Sequence, residues 1–270
     1  MTNSGPPSEQ IHDSQLGDVD AKLRAGFISQ LKEDNFVLYF QPIVPAAAGP
    51  GGGGAFREIL VRYKDEEKDL LPPGSFLPLL EEQGLMPILD RWVVARLLKW
   101  GRDTTAAGRR MPHCSVNLAI DTVRRDVVFG EYVLRGMQKM GVAPASLTFE
   151  IMTTDALANP GAVSKFIAPL RAAGVTFALS WFAGEESALE MAPALGISFI
   201  KIDGSLAMKI AREPREKARL AEIVQRCRKA NMRTVCMLVE DAETLAHLRT
   251  IHVDFVQGFG VERPRPLEGL

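Results

Sequence analysis

Phe36-Val37-Leu38-Tyr39-Phe40-Gln41-Pro42-Ile43-Val44 and Ala55-Phe56-Arg57-Glu58-Ile59-Leu60-Val61-Arg62-Tyr63 are two apolar strand patterns separated only by Pro45 to Gly54. That joint contains five glycines and has no helical period. A parallel crossover takes a dozen or more residues, so the two strands are expected to pair as an antiparallel hairpin. The Gly51-Gly52-Gly53-Gly54 run lacks the Lys-Ser/Thr pair that makes a glycine-rich loop a phosphate cradle, and it reads as flexible linker.

Downstream of the hairpin, strand and helix patterns alternate. Strands are expected over 113–119, 147–151, 175–181, 198–202, 233–238 and 254–257, besides 36–44 and 55–63. Helices are expected over 87–100, 131–140, 161–173, 186–194, 213–230 and 242–249. Eight strands with intervening helices predict an α/β fold, a TIM-like (β/α)8 barrel with an antiparallel first strand. An amphipathic helix bearing Leu23, Phe27, Ile28 and Leu31 precedes the first strand. Residues 1–19 read as a disordered leader or linker and residues 20–267 as the barrel domain.

Composition sets the compartment and excludes several partner classes. With 46% hydrophobic residues, 270 residues bury a large core. A net charge of −1 suggests neither a nucleic-acid footprint nor a membrane-surface patch, and no apolar run approaches the roughly 18 residues of a membrane span. The N-terminus has no signal-peptide core. Cys114, Cys227 and Cys236 are odd in number and scattered, and Cys114 and Cys236 sit in apolar strand patterns, so buried thiols are expected rather than disulfides or a metal clip. A soluble cytoplasmic protein is the expectation.

Polar side chains inside apolar strands mark the candidate site. Faces alternate along a strand, so Glu58 shares a face with Arg62, Asn117 with Ser115, and Glu150 with Thr148. A closed barrel directs Glu58, Asn117, Glu150, Lys201 and Gln257 toward one axis near the C-terminal ends of the strands, where barrel enzymes place their chemistry. Buried charge is costly unless paired, which leaves two readings: neutralisation of Glu58 and Glu150 by Arg62 and Lys201, or a ligand. His113 and His252 are isolated and receive no catalytic role.

Six segments in order carry a family resemblance: Gln41-Pro42-Ile43, Glu58-Ile59-Leu60-Val61-Arg62, Ser115-Val116-Asn117-Leu118, Glu150-Ile151-Met152-Thr153, Lys201-Ile202-Asp203 and Gln257-Gly258-Phe259. Together they resemble the EAL family of cyclic-di-GMP phosphodiesterases. Pro72-Pro73-Gly74-Ser75-Phe76, Leu89-Asp90-Arg91-Trp92-Val93 and Arg263-Pro264 are similar to further family segments. The resemblance implies hydrolysis of one phosphodiester bond with two Mg²⁺ or Mn²⁺ ions, metal ligands at Glu58, Asn117 and Glu150, a water-orienting lysine at Lys201 and a supporting amide at Gln257. It places Gln41, Glu58, Arg62, Asp90, Asn117 and Glu240 near a bound nucleotide.

The strand Phe177-Ala178-Leu179-Ser180-Trp181-Phe182 departs from that pattern. The family ends this strand in two metal-binding aspartates, whereas this chain has Ser180 and Trp181. Thr153 stands at a further acidic position, and Met237 replaces the first acid of a Glu-Gly-Val-Glu segment. Magnesium takes six oxygens in near-octahedral geometry, and a metal pair needs bridging carboxylates. The expectation is therefore no phosphodiesterase activity and no cofactor, with Mg or Mn relevant only to residual activity. The first functional reading is a degenerate cyclic-di-GMP receptor or regulatory module. The second is a protein-interaction module that binds no nucleotide, with a protein partner or homodimer, and the third is a weakly active phosphodiesterase. Trp181 is expected to fold inward and fill the vacated metal site; the alternative turns it outward with Phe182.

Overall fold

The computed structural model describes residues 22, 24–33, 35–48, 56–64, 70–210 and 213–267. The leader expected over 1–19 and the glycine run of the first joint lie outside them. The expected hairpin is present. Strands β1 (Phe36–Pro45) and β2 (Phe56–Lys64) pair antiparallel from Phe36↔Tyr63 to Ile43↔Phe56. After the two-residue β3 (Leu70–Leu71) come β4 (Cys114–Asn117), β5 (Leu147–Met152), β6 (Thr176–Phe182), β7 (Phe199–Ile202), β8 (Arg233–Cys236), β9 (Phe255–Val256) and β10 (Arg265–Pro266). From β2 through β4 to β9 each neighbour pairs in parallel, while β1 runs antiparallel to both β2 and β9 and closes the sheet into a barrel. All eight expected barrel strands are present.

Alternation along these strands separates two cores. Phe149, Ile151, Phe177, Leu179, Ile200 and Ile202 face outward, bury completely and pack beneath the helices. Ile43, Phe56, Ala178, Phe199, Val235 and Phe255 form a separate apolar cluster that plugs the barrel interior. On each strand the residue two positions nearer the mouth belongs to the next inward layer: Gln41, Glu58, Ser180, Lys201, Met237 and Gln257. One pleat repeat is about 6–7 Å, so a largely polar layer rests directly on the apolar plug.

The helices that wrap the barrel include α1 (24–32), α2 (Leu77–Glu82), α3 (Met86–Ala106), α4 (Ile120–Arg125), α5 (Phe129–Met140), α6 (Thr153–Ala158), α7 (Pro160–Ala172), α8 (Glu186–Leu195), α9 (Gly204–Ile210), α10 (Pro214–Lys229) and α11 (Ala242–Thr250). Helices α5 and α8 stop at Gly141 and Gly196, both left-handed, as the common C-terminal stop requires. The short helices α4, α6 and α9, each under two turns, start within three residues of a strand end. They are too short to show a period in the sequence, and none was expected. Trp92, Val93 and Leu97 read as helix-core residues; Val93 and Leu97 are buried on α3, and Trp92 is partly buried against the same core. All three cysteines are buried free thiols, each held well above the usual thiol range by burial.

Most strand boundaries agree with expectation to within one residue, but two strands end two residues early. Strand β4 ends at Asn117, where Leu118 N turns to Glu150 O. Strand β8 was expected to reach 238 but ends at Cys236, because Leu238 takes a left-handed backbone (φ 55°). Three glycines leave room for the loop that follows. A Cβ on Gly204, Gly258 or Gly260 would lie within 2.6 Å of the backbone of Met237, Val239 or Glu240 respectively. Among the described residues, no helix is long and apolar enough to cross a membrane.

Candidate functional site

Lys201, on β7, points into the barrel with its side chain 1% exposed. Its ammonium donates to Glu58 Oε2 at 2.7 Å and to Glu150 Oε1 and Oε2 at 2.8 and 2.7 Å. Asn117 Nδ2 donates to the other Glu58 oxygen at 2.7 Å. Gln257 Nε2 donates to Glu58 Oε2 at 2.7 Å and to Gln41 Oε1 at 3.2 Å, and Gln41 Nε2 donates to Glu262 O at 2.9 Å. Six of the expected polar side chains thus join in one network, spanning β1, β2, β4, β5, β7 and the end of β9. Register explains it: Gln41 is opposite Glu58, and Asn117 is in line with Glu150.

Electrostatics distinguish the two acids. Burial alone would raise Glu58, but the Lys201 charge and hydrogen bonds from Lys201, Asn117 and Gln257 outweigh it and hold that carboxyl below its usual value. Glu150 is pushed up to about 7 by burial and by the neighbouring Glu58 charge, against the pull of Lys201. Burial lowers Lys201, yet the two acids more than offset it and the ammonium is retained. Of the two sources of neutralisation open in the sequence, Lys201 supplies it. Arg62 instead donates from Nη1 to Val61 O at 2.8 Å, with its guanidinium carbon 5.7 Å from the centre of the Tyr39 ring. Its backbone stands four residues on from Glu58 along the same face, a rise of about 13 Å toward the mouth, though the Glu58 charge still acts on its guanidinium.

The remaining expected residues are distributed differently. Glu240 is exposed on the loop after β8. Because the strand has ended, strand parity does not determine its direction. Asp90 is buried on α3, where Oδ2 accepts from Ala119 N at 3.1 Å and from the Thr122 hydroxyl. It ties α3 to the first turn of α4, just beyond Asn117. Burial pushes Asp90 up to about 7 despite those two donors, with Asp126 adding to the rise. A raised carboxyl binds its proton more tightly folded than unfolded. Its contribution to stability is therefore full below about pH 4 and falls as pH rises toward about 7, by at most about 1.4 kcal/mol per pH unit. Asp90→Asn should flatten that slope, as read from urea denaturation between pH 4 and 8. An unchanged slope would contradict it.

Strand β6 corrects the expected position of Trp181. The pairing with β7 slips between Leu179 and Phe182, and at this bulge Trp181 adopts φ 55° and is 44% exposed. A left-handed residue turns its side chain away from the strand alternation, so Trp181 does not fill the barrel. Phe182, which the alternative turned outward with it, is fully buried. Ser180 stays inward at 1% exposure, and its hydroxyl has no hydrogen-bond partner among the described residues; the same holds for Gln257 Oε1. Thr153 is buried and donates to Ser180 O at 2.8 Å, linking β6 to the start of α6.

Several features of the mouth gave little signal in the sequence. Tyr39 is legible only as the residue two before Gln41. Met152, Trp181, Leu238 and Phe259 are exposed apolar side chains at the ends of β5, β6, β8 and β9, and Arg263 packs 5.2 Å over the Phe259 ring. At the opposite end, His113 Nε2 lies 2.6 Å from Thr148 Oγ1 and its ring packs edge-on to Phe56. This is a role in the barrel floor. Among the described residues, no three His, Cys, Asp or Glu side chains converge as they would to hold a metal ion.

Known proteins share this architecture. The chain is 27% identical over 238 residues to the cyclic di-GMP phosphodiesterase PdeB of Shewanella oneidensis, covering 88% of this chain and 27% of the relative. The chain thus spans under a third of that protein's length. The PaMucR phosphodiesterase in complex with c-di-GMP superposes with a TM-score of 0.81 at 26% identity, covering 91% of this chain and 98% of the other. The Xanthomonas citri FimX EAL domain in complex with c-di-GMP gives 0.82 at 21% identity, covering 95% and 98%, a likeness of fold. The sequence model of the EAL domain matches residues 23–264, nearly all of the barrel, and this chain belongs to the EAL family.

Proposed function

We propose that this EAL domain is a cyclic-di-GMP receptor or regulatory module without phosphodiesterase activity. The observation that carries the reading is the Lys201 ammonium, which has all three of its N–H donors engaged by Glu58 and Glu150. A lysine so engaged by these two acids has none left to orient a water. The nucleotide comes from the relatives: PaMucR and the X. citri FimX EAL domain are both described as complexes with c-di-GMP. Arg62, beside Tyr39 on the Glu58 face, is the cation for a ligand phosphate, since a guanidinium matches phosphate oxygens. Glu240 is the acid for a guanine edge, with Gln41 and Asn117 as further polar contacts.

Calorimetric titration with cyclic-di-GMP, with and without Mg²⁺, tests this reading. Binding should be the same in both. Loss of one charge-assisted hydrogen bond costs about 1.5–3 kcal/mol, so Arg62→Ala and Glu240→Ala should each weaken affinity roughly ten- to a hundredfold. Unchanged affinity in both folded variants would place the ligand elsewhere.

One observation favours a second reading, an interaction module for a protein partner or a second copy of the chain. Trp181 and Leu238 are bulky, exposed and left-handed, a backbone state that costs roughly 1–2 kcal/mol per residue. Strain of this kind concentrates at binding sites. A flat nucleotide titration with folded protein would favour this reading over the first. Metal-dependent hydrolysis would favour the third, a weak phosphodiesterase.

A further inference from the structure

The charged layer of the barrel contains two acids and one lysine, and its geometry brings them to one point. Glu58 Oε2 and both oxygens of Glu150 lie 2.7–2.8 Å from Lys201 Nζ, and the ammonium group and the Glu150 side chain are each 1% exposed. An ammonium has three donors and no acceptor, so this coordination is saturated. The point on which three carboxylate oxygens converge is where a hard cation would sit, and the lysine nitrogen occupies it.

The neighbouring strand explains why one lysine suffices. Ser180 is inward at 1% exposure on β6, between the strands of Glu150 and Lys201, and its hydroxyl finds no partner among the described residues. Carboxylates at 180 and 181 would raise the acid count to four, which a single ammonium could not balance. A neutral hydroxyl and an outward tryptophan leave two acids, which one ammonium balances to within one charge. The donor set also fails the coordination requirement. Mg²⁺ takes six oxygens in near-octahedral geometry, and Glu58, Glu150 and the Asn117 amide would have to supply the protein's share beside a positive lysine. These residues do not fit a divalent pair.

We propose that Lys201 is the resident cation of this barrel: its ammonium takes the place between Glu58 and Glu150 that a divalent metal would need, and so excludes one. The proposal rests on the non-hydrolytic reading only in sharing the loss of the β6 acids. Its test reads metal uptake, so its failure is distinguishable from a failure of nucleotide binding. A second consequence is that removing the lysine charge should create a cation site from residues already in place. Glu58, Asn117 and Glu150 remain on adjoining parallel strands, fixed by register, with no lysine left to neutralise the acids.

Mn²⁺ titration at neutral pH, followed by the electron paramagnetic resonance signal of the free aqua ion, tests both statements on the full chain. Wild-type protein should take up no stoichiometric Mn²⁺. Lys201→Met should bind one Mn²⁺ about a hundredfold or more tighter than any residual wild-type uptake, and Lys201→Met/Glu150→Gln should lose most of that gain. If Lys201→Met does not fold alone, Mn²⁺ should restore its circular dichroism, since the metal replaces the missing charge. One-to-one wild-type uptake that Glu58→Gln abolishes would overturn the proposal. A folded Lys201→Met with wild-type uptake would overturn it too, as would an unfolded one that Mn²⁺ does not rescue.

Discussion

Purified protein given cyclic-di-GMP with excess Mg²⁺ or Mn²⁺ is expected to release no linear pGpG. Hydrolysis needs a strong nucleophile at neutral pH, and metal coordination supplies one by lowering the pKa of water from about 15.7 to about 7. That change of almost nine units corresponds to about 12 kcal/mol in proton affinity. Among the described residues, neither His113 nor Glu240 is placed to do this work. His113 is in the floor against Phe56, and Glu240 lies on an exposed loop outside the network. The substitutions are distributed rather than single: Ser180 is a buried hydroxyl, Trp181 faces solvent, Thr153 is bonded to Ser180 O, and Met237 is a buried thioether. Ser180→Asp/Trp181→Asp should therefore leave the rate far below that of an active relative. Metal-dependent turnover that Glu58→Ala abolishes would refute the expectation.

Lys201→Met should cost about 3–5 kcal/mol of stability in metal-free buffer, because removing one member of a buried ion cluster leaves its partners uncompensated. For a domain of this size that corresponds to a fall in Tm of roughly 6–20 °C. Glu150→Gln in the same background should recover part of the loss, since it removes the second buried carboxylate and leaves Glu58 with the amides of Asn117 and Gln257. Urea denaturation of the wild type, the single variant and the double variant reads both effects. A single-variant loss below about 1 kcal/mol would mean that water reaches the acids and screens them, against their near-complete burial.

The two effects share one cause. With Ser180 and Trp181 on β6, Glu58 and Glu150 are the acids that Lys201 balances above the apolar plug.

Much of this was legible in the sequence because it depends on local period and spacing. The ten residues after Val44 are too few for a crossover, and the hairpin followed. Period-two patterns located eight strands, and the face shared by Glu58 with Arg62 and by Thr148 with Glu150 put the acids inside. Glu58 and Glu150 needing a partner, with Lys201 among the candidates, also followed from the cost of buried charge. What escaped is equally specific. Helices α4, α6 and α9 span barely two turns or fewer and carry no period. The resemblance placed Asp90 near a bound nucleotide, yet it is the buried strut beneath Ala119 and Thr122.

By itself the sequence determined the barrel, the order of its strands and the set of polar residues facing its axis, because alternation and loop length are properties of consecutive residues. Only the tertiary structure decided which cation neutralises which acid. Arg62 and Lys201 are equivalent in sequence, but closure of β1 onto β2 and β9 brings Lys201 to 2.7 Å from Glu58 and leaves Arg62 about 13 Å up the strand. The direction of Trp181 was decided the same way. Strict alternation would turn it to the outer face against the helices, and its replacement of an acid suggested the barrel interior. Neither holds, because β6 and β7 slip register by one bulge, and the left-handed backbone at that bulge carries the indole out into solvent.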